Sequence, residues 1–342
     1  MHLQGIGLVF CGGRGTAALE QRLAAPWLPP VPLPVPERDT AVPAYAIPAE
    51  ALADKTALKA MRRADRFGKM ATLAAWDAWH DAGFAELDEP ALARTGIVLG
   101  SALGPHVTTF RFLDDILAFG DAEVSPTAFS HSVHNAAASY IATRLGIRGP
   151  CLTVTDFHFS LPYALLQAQA WIADGRCDRA LVGTADELGT VMAYIARHKM
   201  RIPDDGHIRP DTFASRPAAV PGEAAVFFAL AAEPASRAYG RIEAVALPDP
   251  DPAPPPADRL YYDANGLLAD EAPYRDLCER AKESGAACRS LADRFGSVPS
   301  GFSLHLAAAA LALKQPAPPN RVACLKLNGR RQRATIVLSP HA

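Results

Sequence analysis

Gly149-Pro150-Cys151-Leu152-Thr153-Val154-Thr155-Asp156-Phe157-His158-Phe159-Ser160, running on to Asp174-Gly175 and then to Ala180-Leu181-Val182-Gly183-Thr184, decides the fold. Cys151 to Thr155 reads as a strand, Ser160 to Asp174 as a helix stopped by Gly175, and Ala180 to Thr184 as a second strand. This is a β-α-β unit, for which a right-handed crossover is expected. The flanking sequence extends the alternation. Upstream, Leu58, Met61, Phe67, Met70, Leu73 and Trp76 recur at helical spacing before Gly83, and Gly96-Ile97-Val98-Leu99-Gly100 reads as a strand covered on both faces. Asn135 to Leu145, closed by Gly146, reads as a further helix, Ala224 to Leu230 as a buried strand, and Leu304 to Lys314 as a buried, alanine-rich helix. The class is α/β.

Proline punctuates this pattern. Eight prolines fall between Pro26 and Pro48 and six between Pro248 and Pro256, so neither stretch can run as helix or central strand. Both read as extended loops, the second as a junction between two halves, which we divide as residues 1–236 and 237–342.

Composition excludes several classes. With 49% hydrophobic and 20% charged residues the 342-residue chain packs a core. Its 34 basic and 36 acidic residues give a net charge of −2, which leaves no positive excess for nucleic acid. Met1-His2-Leu3-Gln4-Gly5 lacks a basic leader, and Ala224–Ala232 and Leu306–Ala312 fall short of the roughly 20 residues that span a bilayer. A cytoplasmic protein with no membrane partner is expected. The six cysteines form no C-x-x-C pair, so buried thiols are expected and neither a zinc site nor a disulfide framework.

Several strings together carry a family resemblance. Arg62-Arg63-Ala64-Asp65-Arg66-Phe67, with the helix ending Asp81-Ala82-Gly83, is similar to the "R-x-D-R-F" helix of the β-ketoacyl synthases, the condensing enzymes of fatty acid and polyketide synthesis. Ser132-Val133-His134-Asn135-Ala136, the Gly146-to-Pro150 turn, Gly183-Thr184-Ala185-Asp186-Glu187, Arg209-Pro210 and Pro221-Gly222-Glu223-Ala224 resemble further marks of that family. The match runs from about Arg62 to Ala232 and fades beyond. The resemblance implies a thiolase-like fold: two related β-α-β halves in an α-β-α-β-α layering, here with a shortened C-terminal half. "S-V-H-N-A" resembles a short branch found with aryl polyene synthesis.

An active synthase of this family uses a cysteine activated at a strand-to-helix turn and two histidines that stabilise an enolate. An ungapped count places His158 at the nucleophile position and Asn265, in Asp263-Ala264-Asn265-Gly266, at the first histidine position. The second histidine motif has no counterpart around Phe295-Gly296-Ser297-Val298-Pro299, and His305 reaches it only by deleting much of the following helix. The resemblance therefore implies a silent, chain-length-factor-like subunit that pairs with an active ketosynthase, or with itself through the same interface, and needs no cofactor. Phe157, His158, Phe159, Phe110, Phe112 and His134 are the tunnel and interface candidates.

Against each stands a plainer reading. His158 can be a histidine packed between Phe157 and Phe159, or a neutral base with Asp156 or Asn265 in a decarboxylase or hydrolase of acyl or malonyl thioesters. The aromatic run Phe110 to Phe119 reads as core at helical spacing or as a gate beside an acyl chain. His131 and His134 sit one helical turn apart but lack a third metal ligand. Cys151 and Cys177 read as core. Arg62, Arg63 and Arg66 are a solvated face or a docking patch for an acidic acyl carrier protein, which makes a carrier-binding module the third functional reading.

Overall fold

The computed structural model describes residues 1–35, 40–59, 61–120, 124–236, 238–248 and 253–341. The expected boundary between 236 and 237 falls on Arg237, outside the described residues, as do residues 249–252 of the second proline cluster.

Ten strands lie on one hydrogen-bonded path. The first five are β1 (His2–Phe10), β2 (Thr95–Ser101), β3 (Cys151–Thr155), β4 (Arg179–Asp186) and β5 (Ala224–Ala231). The second five are β6 (Gly240–Ala246), β7 (Arg259–Tyr262), β8 (Ala287–Arg289), β9 (Val322–Leu327) and β10 (Arg333–Ser339). Their spatial order is β8-β7-β9-β10-β6-β1-β5-β4-β2-β3. In each five, the first strand runs antiparallel to the fifth and the fifth antiparallel to the fourth. The fourth is parallel to the second, and the second to the third. The chain thus contains one topology twice, joined where His2 and Leu3 of β1 pair with Arg241 and Gly240 of β6. The β-α-β unit read from residues 151–184 is present with β2 between its two strands, so its helix crosses over a strand that both flank.

Alternation of side chains sorts these strands into layers. In β5, Ala224, Val226, Phe228 and Leu230 face a central cluster while Ala225, Phe227, Ala229 and Ala231 face an outer one. The central cluster holds helices α1 (Ser160–Ala173) and α2 (Phe302–Ala312); all eleven residues of α2 are buried. Helices Arg66–Asp81 and Ala136–Leu145 cover one outside face, and Pro273–Glu283 covers the other. Helix, sheet, helix, sheet and helix follow in turn. Each fully buried Leu or Phe in such layers stabilises the fold by about 1.5–3 kcal/mol. Helix Arg66–Asp81 rests on bare backbone: a Cβ on Gly5 or Gly7 of β1 would lie 2.3 Å from the Ala78 carbonyl oxygen or 2.1 Å from that of Ala74. No side chain larger than hydrogen fits there.

Four sequence readings change. The segment after Pro26 carries an antiparallel ribbon, Val31–Val35 with Thr40–Ala44, apart from the main sheet, because its prolines can face each other at Pro32 and Pro43 without donating. Leu58 and Met61 precede the helix, which begins at Arg66 because the Asp65 carboxylate accepts from the Gly68 amide at 2.8 Å. The second proline cluster follows β6, which already pairs with β10, so it lies within the second five strands and is no junction between the two sets. Cys151 is exposed rather than buried, since β3 is the sheet's outer edge. Among the described residues no helix is long and apolar enough to cross a membrane.

Candidate functional site

Strand β3 delivers the chain into the turn 156–159. The Asp156 carboxylate accepts from the amides of His158 at 2.8 Å and Phe159 at 2.6 Å, which fixes His158 at the entrance of α1. Asp156 is therefore a turn-former through its Oδ1. The half-buried His158 ring meets Phe157 edge-on at 5.1 Å and Phe159 at 6.4 Å, as expected for a ring packed between two phenylalanines. Burial first, and then the positive charge of Lys326, lower its pKa; Asp156 and Asp263 oppose that shift. The lowered pKa favours the neutral imidazole.

Beneath it lies an ion pair that sequence reading missed. Lys326 Nζ donates to Asp263 Oδ2 at 2.6 Å and to the Pro299 carbonyl at 2.8 Å, with the two side chains 3% and 0% exposed. Asp263 and Lys326 sit at the ends of parallel neighbours β7 and β9. A signal existed: Lys326 is the single charge in the apolar strand Val322–Leu327. Asn265, two residues beyond Asp263, is buried with its amide nitrogen donating to the Val298 carbonyl and its oxygen accepting from the Leu267 amide. Both ends of the amide hold backbone, so Asn265 is a structural tie. The same is true of His305, whose Nε2 accepts from the Leu291 amide at 3.1 Å and whose Nδ1–H donates to the Gly301 carbonyl at 3.1 Å. Nearby Glu271, buried and accepting from the Gly266 amide, has its pKa pushed up to about 7 by burial.

Above the turn, the helix His106–Phe119 and the short helix Pro126–Ser132 present apolar side chains outward. In the first of these only His106 is buried, so the core reading of its aromatic run fails. Phe110 is 45% exposed, Leu117 85%, Phe119 69% and Phe129 58%. Phe112 meets Phe129 at 5.7 Å beside a cavity of about 260 Å³ that they share with Ile116 and Val124. Leu152 on β3, Phe157 and Tyr163 are further exposed apolar or aromatic side chains of the same half. His134 is exposed and stacks on Gly104, while His131 hydrogen-bonds the Tyr140 hydroxyl. Among the described residues no three metal-ligating groups converge.

The arginine patch divides. Arg66 turns inward and grips Glu223 with two nitrogens; Glu223 is buried and also accepts from the Ile47 and Leu188 amides. Arg66 is thus no docking residue, because its charge neutralises a buried carboxylate. Arg62 and Arg63 face solvent. Between the loop and the sheet, Asp186 Oδ1 accepts from the Ser101 hydroxyl and the Ala102 and Leu103 amides, while its Oδ2 accepts from the Ser300 amide.

Residues 32–234 match the family model described as the β-ketoacyl synthase N-terminal domain. The chain belongs to the β-ketoacyl synthase family. A 3-oxoacyl-[acyl-carrier-protein] synthase 2 from Coxiella burnetii is 24% identical over 160 residues, covering 47% of this chain and 38% of the relative. Nodulation protein E of Rhizobium meliloti is 30% identical over 161 residues, 47% of this chain and 40% of that protein. The matched region thus spans about two fifths of these relatives. Among solved structures, the ishigamide ketosynthase/chain length factor superposes with a TM-score of 0.75 at 20% identity, covering 100% of this chain and 99% of its own. A β-ketoacyl synthase from Burkholderia phymatum gives 0.80 at 16%, again over 100% and 99%. The chain shares their thiolase-like fold.

Proposed function

We propose that this ketosynthase-like chain is a catalytically silent subunit of the chain-length-factor type, which pairs with an active β-ketoacyl synthase and shapes its acyl tunnel in type II fatty acid or polyketide synthesis, including the aryl polyene kind. What supports this reading is the exposure of Leu152 on the outer-edge strand β3 and of Phe110, Leu117, Phe119, Phe129 and Phe157 in the same half, together with an imidazole at the turn that follows β3. Neutral His158 has no nucleophilic sulfur, and Asn265 and His305 spend their polar atoms on backbone. An unpaired sheet edge with surrounding exposed phenylalanines is what a strand-to-strand subunit contact buries. In support, one solved relative is itself a ketosynthase/chain length factor, and another is a type II ketosynthase with its acyl carrier protein. The division at 236/237 belongs to the same reading, as does a carrier that meets Arg62 and Arg63. Co-expression with a β-ketoacyl synthase encoded beside it gives a heterodimer burying roughly 2,000 Å² or more. A stable monomer in the presence of every such synthase overturns the proposal.

One observation favours a second reading, an acyl- or malonyl-thioester decarboxylase: the neutral imidazole lies in the field of the buried Lys326 ammonium, a pairing suited to a developing enolate oxygen. It requires carbon dioxide release from malonyl-carrier protein that is lost in His158→Ala.

A further inference from the structure

The outer layer of the second five strands holds a pair of thiols that the function above does not use. Cys278 lies on helix Pro273–Glu283 and is buried; Cys288 lies on β8, partly exposed. Cys288 Sγ donates to the Cys278 carbonyl oxygen at 3.5 Å, so its sulfur reaches the backbone of its partner residue. Both side chains belong to one apolar cluster beneath the helix, Cys278 in its buried set and Cys288 packed against it. The neighbouring Cys278 thiol and the positive charge of Lys282, one helical turn from Cys278, lower the Cys288 pKa, although burial opposes them. Ten residues separate the pair in sequence, and the turn between them brings helix and strand together without rearrangement. Among the described hydrogen bonds no other cysteine sulfur reaches the backbone of a second cysteine.

We propose that Cys278 and Cys288 form an oxidant-responsive dithiol site that closes to a disulfide with a peroxide as co-reactant. Cys288 is the attacking sulfur because it is accessible and holds thiolate character; Cys278 resolves. The Cys288 thiolate displaces hydroxide from hydrogen peroxide, forming an S–O bond as the O–O bond breaks, and the hydroxide takes up a proton to leave as water. The Cys278 sulfur then attacks the Cys288 sulfenic acid; the S–S bond forms, the S–O bond breaks and a second water departs with the Cys278 proton. The two thiols lose two electrons and the peroxide gains two. The closed bond staples the helix to a three-residue edge strand that otherwise pairs only with β7.

Trypsin separates the pair, since Cys278 falls in the peptide 276–280 and Cys288 in 283–289. Treating the reduced full-length protein with hydrogen peroxide is expected to link these peptides with a loss of about 2 Da, to be reversed by dithiothreitol. The Tm should rise by a few degrees in the oxidised form. In Cys288→Ser, which alters the exposed partner and spares the buried one, the linked peptide disappears and Cys278 stays reduced. Unlinked peptide 283–289 heavier by about 16 or 32 Da, or a full count of free thiols after peroxide, overturns the proposal.

Discussion

The two ends of the sheet are built to opposite specifications. At one end β8 is three residues long, carries Arg289 and is shadowed by helix Pro273–Glu283. At the other, β3 is five residues long, carries Leu152 exposed at its second position and forms the sheet's outer edge, and the helices His106–Phe119 and Pro126–Ser132 of the same half expose Phe110, Leu117, Phe119 and Phe129. Short, charged edges resist pairing and long apolar ones invite it. One topology, used twice, thus gives one closed end and one end that asks for a neighbour.

Lysine substitutions at the two ends test this contrast most severely. Leu152→Lys should weaken association with the partner synthase by about 100-fold or more, because it buries an unpaired ammonium, while Ala287→Lys on β8 leaves it unchanged. Sedimentation of the co-expressed subunits reads the difference; equal losses would erase it.

The next test concerns the interior of the second five strands. Lys326→Met leaves Asp263 buried without its cation and should lower stability by about 3–5 kcal/mol in urea unfolding, whereas Lys326→Met with Asp263→Leu recovers most of that loss. The apolar end of β3 should hold its partner as before whenever the variant is folded.

A smaller effect compares one buried carboxyl from each half. Burial raises Glu187 to about 8 and Glu271 to about 7 from a reference near 4.5. A raised carboxyl is more protonated in the folded chain than in the unfolded one, so stability falls as pH climbs through that interval and levels off above the folded pKa. Glu271→Gln should therefore flatten the decline between about pH 4.5 and 7, and Glu187→Gln between about pH 4.5 and 8, each by one to a few kcal/mol in order of magnitude. Identical pH profiles for both variants and the parent chain would show that neither carboxyl is held neutral.

Much of the fold was legible because its signals are local. Strand 151–155 keeps both its ends, and helix 160–174 ends one residue early, since Gly175 and the apolar run act within a few residues. The duplication was legible only through the family resemblance, which implies two related halves, because the two sets of strands share pairing and direction but no string of residues. Helical spacing from Phe110 to Phe119 fits burial against one's own core or against another chain, and periodicity cannot tell which. In the site, His158 stands at the turn between β3 and α1, held there by Asp156. The Asp263–Lys326 pair did not emerge, because its members are 63 residues apart and meet only through parallel pairing of β7 with β9. Arg66 misled for a similar reason, as its carboxylate lies at residue 223.

Asp186 gives the molecule a mechanical joint. One oxygen clasps the loop 101–103 that leads into the outward apolar helix, and the other clasps Ser300, whose neighbour Pro299 lends its carbonyl to Lys326. Through that one carboxylate the backbone leading into the outward helix and the backbone that holds Lys326 share an anchor, so the two halves are tied together in the interior as well as through the sheet.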